Sequence, residues 1–371
     1  IKPVEFHAQV VEPSSTSLWV DCSIRWTNGD GTSGEWEDIF ELKTQSADIP
    51  WMDLSIHEPY SLEPVCTPDE LIGRSEQISR LLAKLNSSSV GSFWIHGQRR
   101  VGKTSVVRTL ENHDQTSLLT ILYLETGSFI DPDPIITINN LGNSICRQLK
   151  HKNIKIKDFE LPNFNGALNP LDQFLSDAHY RDPDLKLVIV LDEFDEIPYD
   201  LYQRDSKISH ALFMTFRSLS AKEFIGFIFV GGEKMPEILS IRGEVLNKFR
   251  PLRIDYLDRE THWADFVDLV RRPVEKWATI TDEAVNRIYD ATAGNPFFAK
   301  FILGILVADM LKRRDAYASH KEMEKAINSA VIEAGENQFQ HFWVDGIIDS
   351  PTERSKQERA ARRRILIGLG E

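Results

Sequence analysis

One stretch of eight residues has the types and spacing needed to hold a chain of phosphates. Residues 97–104 read Gly-Gln-Arg-Arg-Val-Gly-Lys-Thr and fit the pattern G-x-x-x-x-G-K-[ST]. Glycines let the backbone wrap closely around phosphate oxygens, and the N–H groups of such a loop point inward. Lys103 is expected to contact the β and γ phosphates, and Thr104 to ligate Mg²⁺. The residues predicted to bind a nucleoside triphosphate in this stretch are Gly97, Gln98, Arg99, Arg100, Val101, Gly102, Lys103, Thr104 and Ser105.

A run of acidic residues follows a continuous apolar segment at 187–191. Mg²⁺ bound to a phosphate loop needs a carboxylate at the end of a neighbouring strand, and Asp192 is predicted to hold it directly or through water. Glu193 is placed to polarise an attacking water as general base. Lys103, Asp192 and Glu193 are therefore the predicted catalytic residues. The alternative is an acid-rich helix N-terminus, which the helix dipole also favours.

The elements around these residues alternate between strands and helices from 91 to about 255. The segments 92–96, 118–124, 187–191, 224–230 and 252–255 are strand-like, and helical spacing occurs at 135–150, 171–179 and 208–220. This alternation predicts a parallel sheet covered by helices on both faces, an α/β P-loop NTPase domain. The phosphate loop lies between a predicted strand and a predicted helix, which argues against an ordinary basic turn.

The chain divides into four predicted parts. Residues 1–60 predict a small β module, because apolar and polar residues alternate at 4–10 and 17–26 and a further strand is predicted at 36–42. Residues 61–257 are predicted to form the nucleotide-binding domain. A proline-rich extended linker at 57–70 leads into it, and its first helix is expected to start near Ser75. Residues 258–345 carry only helical patterns and predict a helical lid. Residues 346–371 are expected to begin a further domain.

Two further groups are candidates to sense the γ phosphate. The strand at 224–230 is followed by Gly231-Gly232-Glu233-Lys234, where P-loop folds with an inserted strand place a polar sensor. Glu233 and Lys234 are the only candidates there. Arg250 is a candidate to approach phosphate from its own or a neighbouring subunit, with a surface arginine as the alternative.

Composition limits the partners. The formal net charge is −13, which disfavours broad binding to nucleic acid, although a local basic face such as the run at 362–364 stays possible. The three cysteines form no metal or disulfide pattern, which fits a cytoplasmic setting. No apolar run is long enough for a membrane helix, and no signal peptide is apparent. The chain does not begin with Met, which leaves open a processed chain or a piece of a longer one.

These motifs resemble the STAND class of the AAA+ superfamily, the NB-ARC-like signalling ATPases, in its bacterial type. Residues 71–76 (Leu-Ile-Gly-Arg-Ser-Glu) look like the family element h-h-G-R-x-x-E. That resemblance places Ile72, Gly73 and Arg74 beside the adenine. Residues 294–296 (Gly-Asn-Pro) resemble the G-x-P turn of the family's lid, in which Pro296 would pack against the nucleotide. The similarity covers about residues 68 to 345. The resemblance implies that residues 346–371 begin a winged-helix domain.

The resemblance implies an ATP-hydrolysing switch with ATP or ADP and Mg²⁺ as ligands. ADP would hold a closed resting form, and exchange for ATP would open the lid and permit self-association. Effector or sensor domains would lie in the same or a partner chain, and signalling or defence against phage would be the role. Two alternatives stay open: a DNA-acting AAA+ ATPase of origin-recognition or transposition type, and a binding module with a degenerate site.

Overall fold

The computed structural model describes residues 17–43, 51–52, 58–113, 116, 118–232 and 234–344. Near the start, strands β1 (Ser17–Thr27) and β2 (Ser33–Lys43) pair antiparallel. A tight turn joins them, in which the Asn28 N–H donates to the carbonyl of Thr32. The strand patterns at 17–26 and 36–42 are thus confirmed as a hairpin. The strand-like segment at 4–10 and the predicted winged-helix start lie outside the described residues.

Five parallel strands form the central sheet. They are β3 (Phe93–His96), β4 (Thr120–Glu125), β5 (Leu187–Asp192), β6 (Ile225–Gly231) and β7 (Arg250–Arg253). Their order across the sheet is β4-β5-β6-β3-β7, so β6 lies between the strand before the phosphate loop and the strand that ends in Asp192. The predicted α/β fold class is confirmed.

Helices cover both faces of this sheet because successive strand residues point to opposite sides. In β5, Leu187, Ile189 and Leu191 pack into one apolar cluster, whereas Val188 and Val190 pack into another. Helices α1 (Ser75–Leu85) and α2 (Lys103–Glu111) fill the face of the valines. The opposite face is filled by α3 (Pro134–Lys152), α4 (Pro170–Arg181), α5 (Lys207–Leu219) and α6 (Met235–Arg242).

The lid, residues 258–344 of the described chain, has its own apolar core. Its helices are α7 (Trp263–Arg271), α8 (Asp282–Thr292), α9 (Pro296–Arg313) and α10 (His320–Val344). The expectation of helices alone was wrong, because β8 (Thr279–Ile280) and β9 (Tyr317–Ala318) pair in parallel and tie two loops together. Within the described residues, no helix is both long enough and apolar enough to cross a bilayer.

Candidate functional site

The phosphate loop connects the carboxyl end of β3 to the first turn of α2. Gly97 follows His96, and a Cβ on it would lie 2.0 Å from the carbonyl oxygen of Ile254, so only glycine fits. Gly102 adopts a φ of +97° at the N-cap of α2, a conformation that favours glycine. Both glycines of the motif are therefore required by the backbone path, and this path aims the start of α2 into the loop.

Lys103 is held at the loop by two backbone acceptors. Its Nζ donates to the carbonyl oxygens of Gly97 at 2.8 Å and Gln98 at 2.7 Å. The ammonium therefore lies within the curve of the loop. An anion placed there would meet a cation whose position is already fixed, which lowers the cost of ordering it on binding.

Asp192 lies next to Thr104, as the sequence predicts. The Thr104 hydroxyl donates to Oδ2 of Asp192 at 2.8 Å. Asp192 is buried, and the Tyr123 hydroxyl donates to the same Oδ2 while the Glu193 N–H donates to Oδ1 at 2.9 Å. A hydroxyl and a carboxylate are hard oxygen ligands, the kind that Mg²⁺ prefers. The pair fits a magnesium ion that would take its remaining ligands from water and phosphate.

Glu193 is turned into the cleft by an unusual backbone conformation. It adopts a φ of 55°, in the left-handed region that non-glycine residues rarely occupy. Burial raises the pKa of its carboxyl group, and the negative charges of Asp192 and Glu125 raise it further. A carboxylate with a raised pKa is a stronger base. The left-handed backbone and the raised pKa are the two features that distinguish Glu193, and its role as general base stays a prediction.

Lys103, Thr104 and Glu193 line a cleft of about 440 Å³, which we call the main cleft. Asp192 lies beside this cleft, hydrogen-bonded to Thr104. The phosphate loop contributes one wall, the acids after β5 and the glycines after β6 a second, and the lid a third. A fourth wall is a short stretch that precedes the sheet domain. The residues of the four walls are Arg99, Arg100, Gly102, Lys103, Thr104, Ser105, then Glu193, Asp195, Glu196, Gly231, Gly232, then Pro296, Phe297, Lys300, and finally Ser61, Leu62, Glu63, Pro64.

The lid reaches the main cleft through the first turn of α9. Asn295 caps this helix, its side-chain oxygen accepting from the N–H groups of Phe297 at 2.9 Å and Phe298 at 3.2 Å. Pro296 lines the cleft, and its packing against a nucleotide stays a prediction. The centre of the Phe297 ring lies 4.3 Å from the guanidinium carbon of Arg100. The lid and the phosphate loop are thus in direct contact.

The stretch before the sheet domain, residues 60–66, forms a strap between the lid and α2. Tyr60 is buried in the lid core, and its hydroxyl donates to the Val270 carbonyl. At the other end, the Val65 N–H donates to the Ser105 hydroxyl at 3.1 Å, and Asn112 donates to the Cys66 carbonyl at 2.8 Å. The strap therefore crosses one mouth of the main cleft and is anchored on both of its sides.

Arg74 acts on the phosphate loop from behind. Only 3% of its surface is exposed, and Nη2 donates to the carbonyl oxygens of Val101 at 3.0 Å and Asp255 at 2.7 Å. Burial lowers the pKa of this guanidinium to about 10. Ile72 packs against the lid core, and neither it nor Gly73 or Arg74 lines the main cleft. In the structure Arg74 clamps the loop to the segment after β7, and the predicted adenine contact stays a prediction.

Arg250 is not brought to the phosphate loop of its own chain, which corrects that part of the prediction. It pairs with Phe93 at the start of β3, whereas the loop follows His96 at the other end of the strand. Parallel strands share one direction, so Arg250 lies at the amino ends of the strands, away from the phosphate loop at their carboxyl ends. Lys234 precedes α6 but does not line the cleft, and Glu233 lies outside the described residues.

Several residues of the main cleft were not predicted from the sequence. Lys300 lies one helical turn beyond Pro296 on α9, a spacing that could have revealed it. Burial lowers the pKa of its ammonium group, partly offset by the charge of Glu70. No sequence pattern predicted that the strap lines the main cleft. Its proline indicates extended backbone but does not indicate which residues the strap contacts.

Solved structures share this fold. The Aeropyrum pernix ORC2 protein is 15% identical, with 76% of this chain and 74% of that chain covered and a TM-score of 0.50. The Walker-type ATPase of Pyrococcus abyssi is 16% identical over 76% of this chain and 79% of that chain, with a TM-score of 0.51. The Drosophila ORC bound to DNA is 14% identical over 80% and 70%, with a TM-score of 0.51.

No family model matches the sequence, and no curated protein matches it. The structural similarities support the predicted α/β fold, a parallel sheet with flanking helices and a helical C-terminal region. They do not single out the STAND class or a bacterial type.

Proposed function

We propose that this chain is an ATP-binding and ATP-hydrolysing switch of the STAND type that rests with ADP bound. The observation that carries the proposal is the meeting of Lys103, Thr104 and Glu193 in one cleft that the lid also lines. Lys103 would exchange its two carbonyl acceptors for β and γ phosphate oxygens. Thr104 and Asp192 would hold Mg²⁺, which neutralises charge on the phosphates when bound.

In this proposal Glu193 takes the proton of the attacking water. Its raised pKa suits it to that task, because a general base works best when its pKa approaches the working pH. Pro296 and Phe297 lie on the lid, so the bound nucleotide would contribute differently to the free energies of the open and closed lid. Self-association in the ATP form, coupled to sensor or effector domains, is the expected output, with a role in signalling or defence against phage.

Steady-state ATP turnover tests this function directly. We expect Lys103→Ala to lower turnover about 10²–10³-fold by removing a fixed positive charge. Glu193→Gln is expected to lower it about 10²–10⁴-fold while nucleotide still binds. The control is Lys276→Ala, an exposed lysine of the lid. Turnover that survives in both active-site variants would refute the proposal. Light scattering of Glu193→Gln with ATP and with ADP then tests self-association.

A DNA-associated ATPase is the second candidate function. The Drosophila ORC, which has this fold, is bound to DNA in its structure. The net charge of −13 counts against this candidate, because a polyanion is repelled at long range. Fluorescence anisotropy of labelled duplex DNA at low and moderate salt separates the two. Tight, salt-sensitive binding that accelerates ATP turnover would favour the DNA-associated function over the switch.

A further inference from the structure

A second cleft lies at the far end of the sheet from the phosphate loop. It has a volume of about 450 Å³ and is lined by Arg147, Lys150, His151, Ile154, Lys157 and Leu161; we call it the basic cleft. Its walls are the last turns of α3 and the loop that follows.

Two contacts fix its position relative to the main cleft. Gln148 donates to the Tyr123 carbonyl at 2.9 Å, and Lys152 donates to the Ile121 carbonyl at 2.8 Å. Helix α3 therefore runs antiparallel to β4, and its C-terminus lies near the amino end of that strand. The main cleft lies at the carboxyl ends of the strands, so an occupant of the basic cleft would not compete with a nucleotide.

The charge of this region departs from that of the whole chain. Residues 147–157 contain only basic charges, within a chain of net charge −13. A helix C-terminus favours cations, and most charge runs are solvated faces. Structural roles account for three of the lysines: Lys150 donates to the Phe159 carbonyl, Lys152 pairs with Glu111 at 2.8 Å, and Lys155 pairs with Asp182 at 2.5 Å.

Two cleft-lining cations and one histidine have no such role. Within the described residues, the side chains of Arg147, His151 and Lys157 make no ion pair and no hydrogen bond. Arg147 and His151 are four residues apart and so lie on the same side of α3. Lys157 approaches from the loop, so donors from two elements line one recess. Such an arrangement suits more than one negative charge on the same ligand.

The basic cleft also presents aliphatic surface. Ile154 is 82% exposed and Leu161 is 38% exposed. Covering such side chains removes apolar surface from water and favours binding. A phosphodiester backbone offers negative oxygens but has no aliphatic group to cover these residues. An acidic peptide with interspersed aliphatic side chains complements both the cations and the aliphatic surface.

We propose that the basic cleft binds a short acidic segment of a partner protein. Carboxylates of the segment would pair with Arg147, Lys157 and His151, and an aliphatic side chain would pack on Ile154 and Leu161. The proposal does not depend on the nucleotide chemistry of the main cleft. It gives the chain a protein-recognition surface that stays accessible whatever nucleotide is bound.

The test uses the full chain and three fluorescein-labelled probes of equal charge. They are a peptide of alternating glutamate and leucine, a polyglutamate peptide and a single-stranded oligonucleotide. Fluorescence anisotropy should rank the glutamate–leucine peptide tightest. The double variant Arg147→Glu/Lys157→Glu should bind it at least about tenfold more weakly, which corresponds to about 1.4 kcal/mol. Ile154→Ser should weaken the glutamate–leucine peptide several-fold and leave polyglutamate unchanged.

The matched control is Arg80→Glu/Lys276→Glu, two exposed cations outside the cleft whose reversal gives the same net charge. It should bind the peptides as the unmodified chain does. An equal loss in this control would show that only net charge matters and would overturn the proposal. The proposal would also be overturned if the oligonucleotide bound more tightly than the peptides and depended equally on Arg147 and Lys157. Failure of all three probes to bind would overturn it as well. Unchanged melting temperatures show that the variants fold.

Discussion

The two clefts have similar volumes, about 440 and 450 Å³, yet they hold their charges differently. At the main cleft, Lys103 is fixed by two carbonyls, and the neighbouring Asp192 is fixed by three hydrogen bonds. In the basic cleft, Arg147 and Lys157 are exposed side chains on flexible stems. Fixed charges suit chemistry, because little reorganisation is needed during reaction, whereas mobile charges suit recognition of varied ligands.

The largest expected effect removes the fixed geometry of the main cleft. Gly97→Ala would place a Cβ 2.0 Å from the Ile254 carbonyl oxygen, so the backbone must shift. We expect a loss of about 3 kcal/mol in unfolding free energy and loss of measurable nucleotide binding. Chemical denaturation and fluorescent ADP titration measure both. Gly127→Ala is the control, since a Cβ there meets nothing within 4 Å, and peptide binding in the basic cleft should survive in any folded Gly97→Ala protein.

Removing the support behind the loop should have the next largest effect. Arg74→Ala leaves the carbonyls of Val101 and Asp255 without this donor. We expect a loss of about 2–4 kcal/mol in unfolding free energy. Thermal unfolding measures it against Arg80→Ala, an exposed arginine on α1 that should change stability by less than about 0.5 kcal/mol. Similar melting temperatures for the two variants would contradict a clamping role for Arg74.

Salt concentration should affect ligand affinity more strongly at the basic cleft than at the main cleft. Raising ionic strength screens exposed charges more than buried ones, and the screening length falls from about 30 Å at 0.01 M to about 10 Å at 0.1 M. We therefore expect peptide affinity at the basic cleft to fall several-fold over that range. Affinity of the main cleft for Mg²⁺ and nucleotide should fall less, because Asp192 is buried. Titrations of the acidic peptide and of the nucleotide with Mg²⁺ in the same buffers check this. Equal salt dependence of the two affinities would contradict the difference between mobile and fixed charges.

The smallest expected effect concerns the pH dependence of turnover. Glu193 acts as a base only when ionised, so turnover should fall as the pH falls through its raised pKa. Glu125→Gln removes one repelling charge, which lowers that pKa and moves the acidic limb of the profile to lower pH. Glu111→Gln is the control, because Glu111 is not among the charges that raise this pKa. An acidic limb that does not move would exclude electrostatic coupling between Glu125 and Glu193.

The parts of the site that could be predicted are those encoded locally. The pattern at 97–104 and the acid after 187–191 each depend on neighbouring residues, and the structure brings Thr104 and Asp192 within 2.8 Å. Helix α1 could be predicted for the same reason, because its apolar residues lie at helical spacing. The structure buries all four of them: Ile78, Leu81, Leu82 and Leu85.

The predictions that failed concern residues whose roles depend on tertiary structure. Arg250 was predicted to approach phosphate because it lies just before a predicted strand. The direction of that strand places Arg250 at its amino end, away from the phosphate loop. Helix α6 was missed because its proline and irregular apolar spacing give little periodic signal. The carbonyls that Arg74 contacts lie 27 and 181 residues along the chain, so no local pattern could identify them.

The strap sets a limit on how far the lid can travel. Its anchor on the lid is Tyr60, and its anchor on α2 is Val65. Five residues of fully extended chain span roughly 17 Å. While both anchors hold, the strap is a tether of that length, and lid motion beyond it must first pull one anchor free. Tension applied to the chain ahead of Tyr60 would therefore act on the lid core through the Tyr60 hydroxyl.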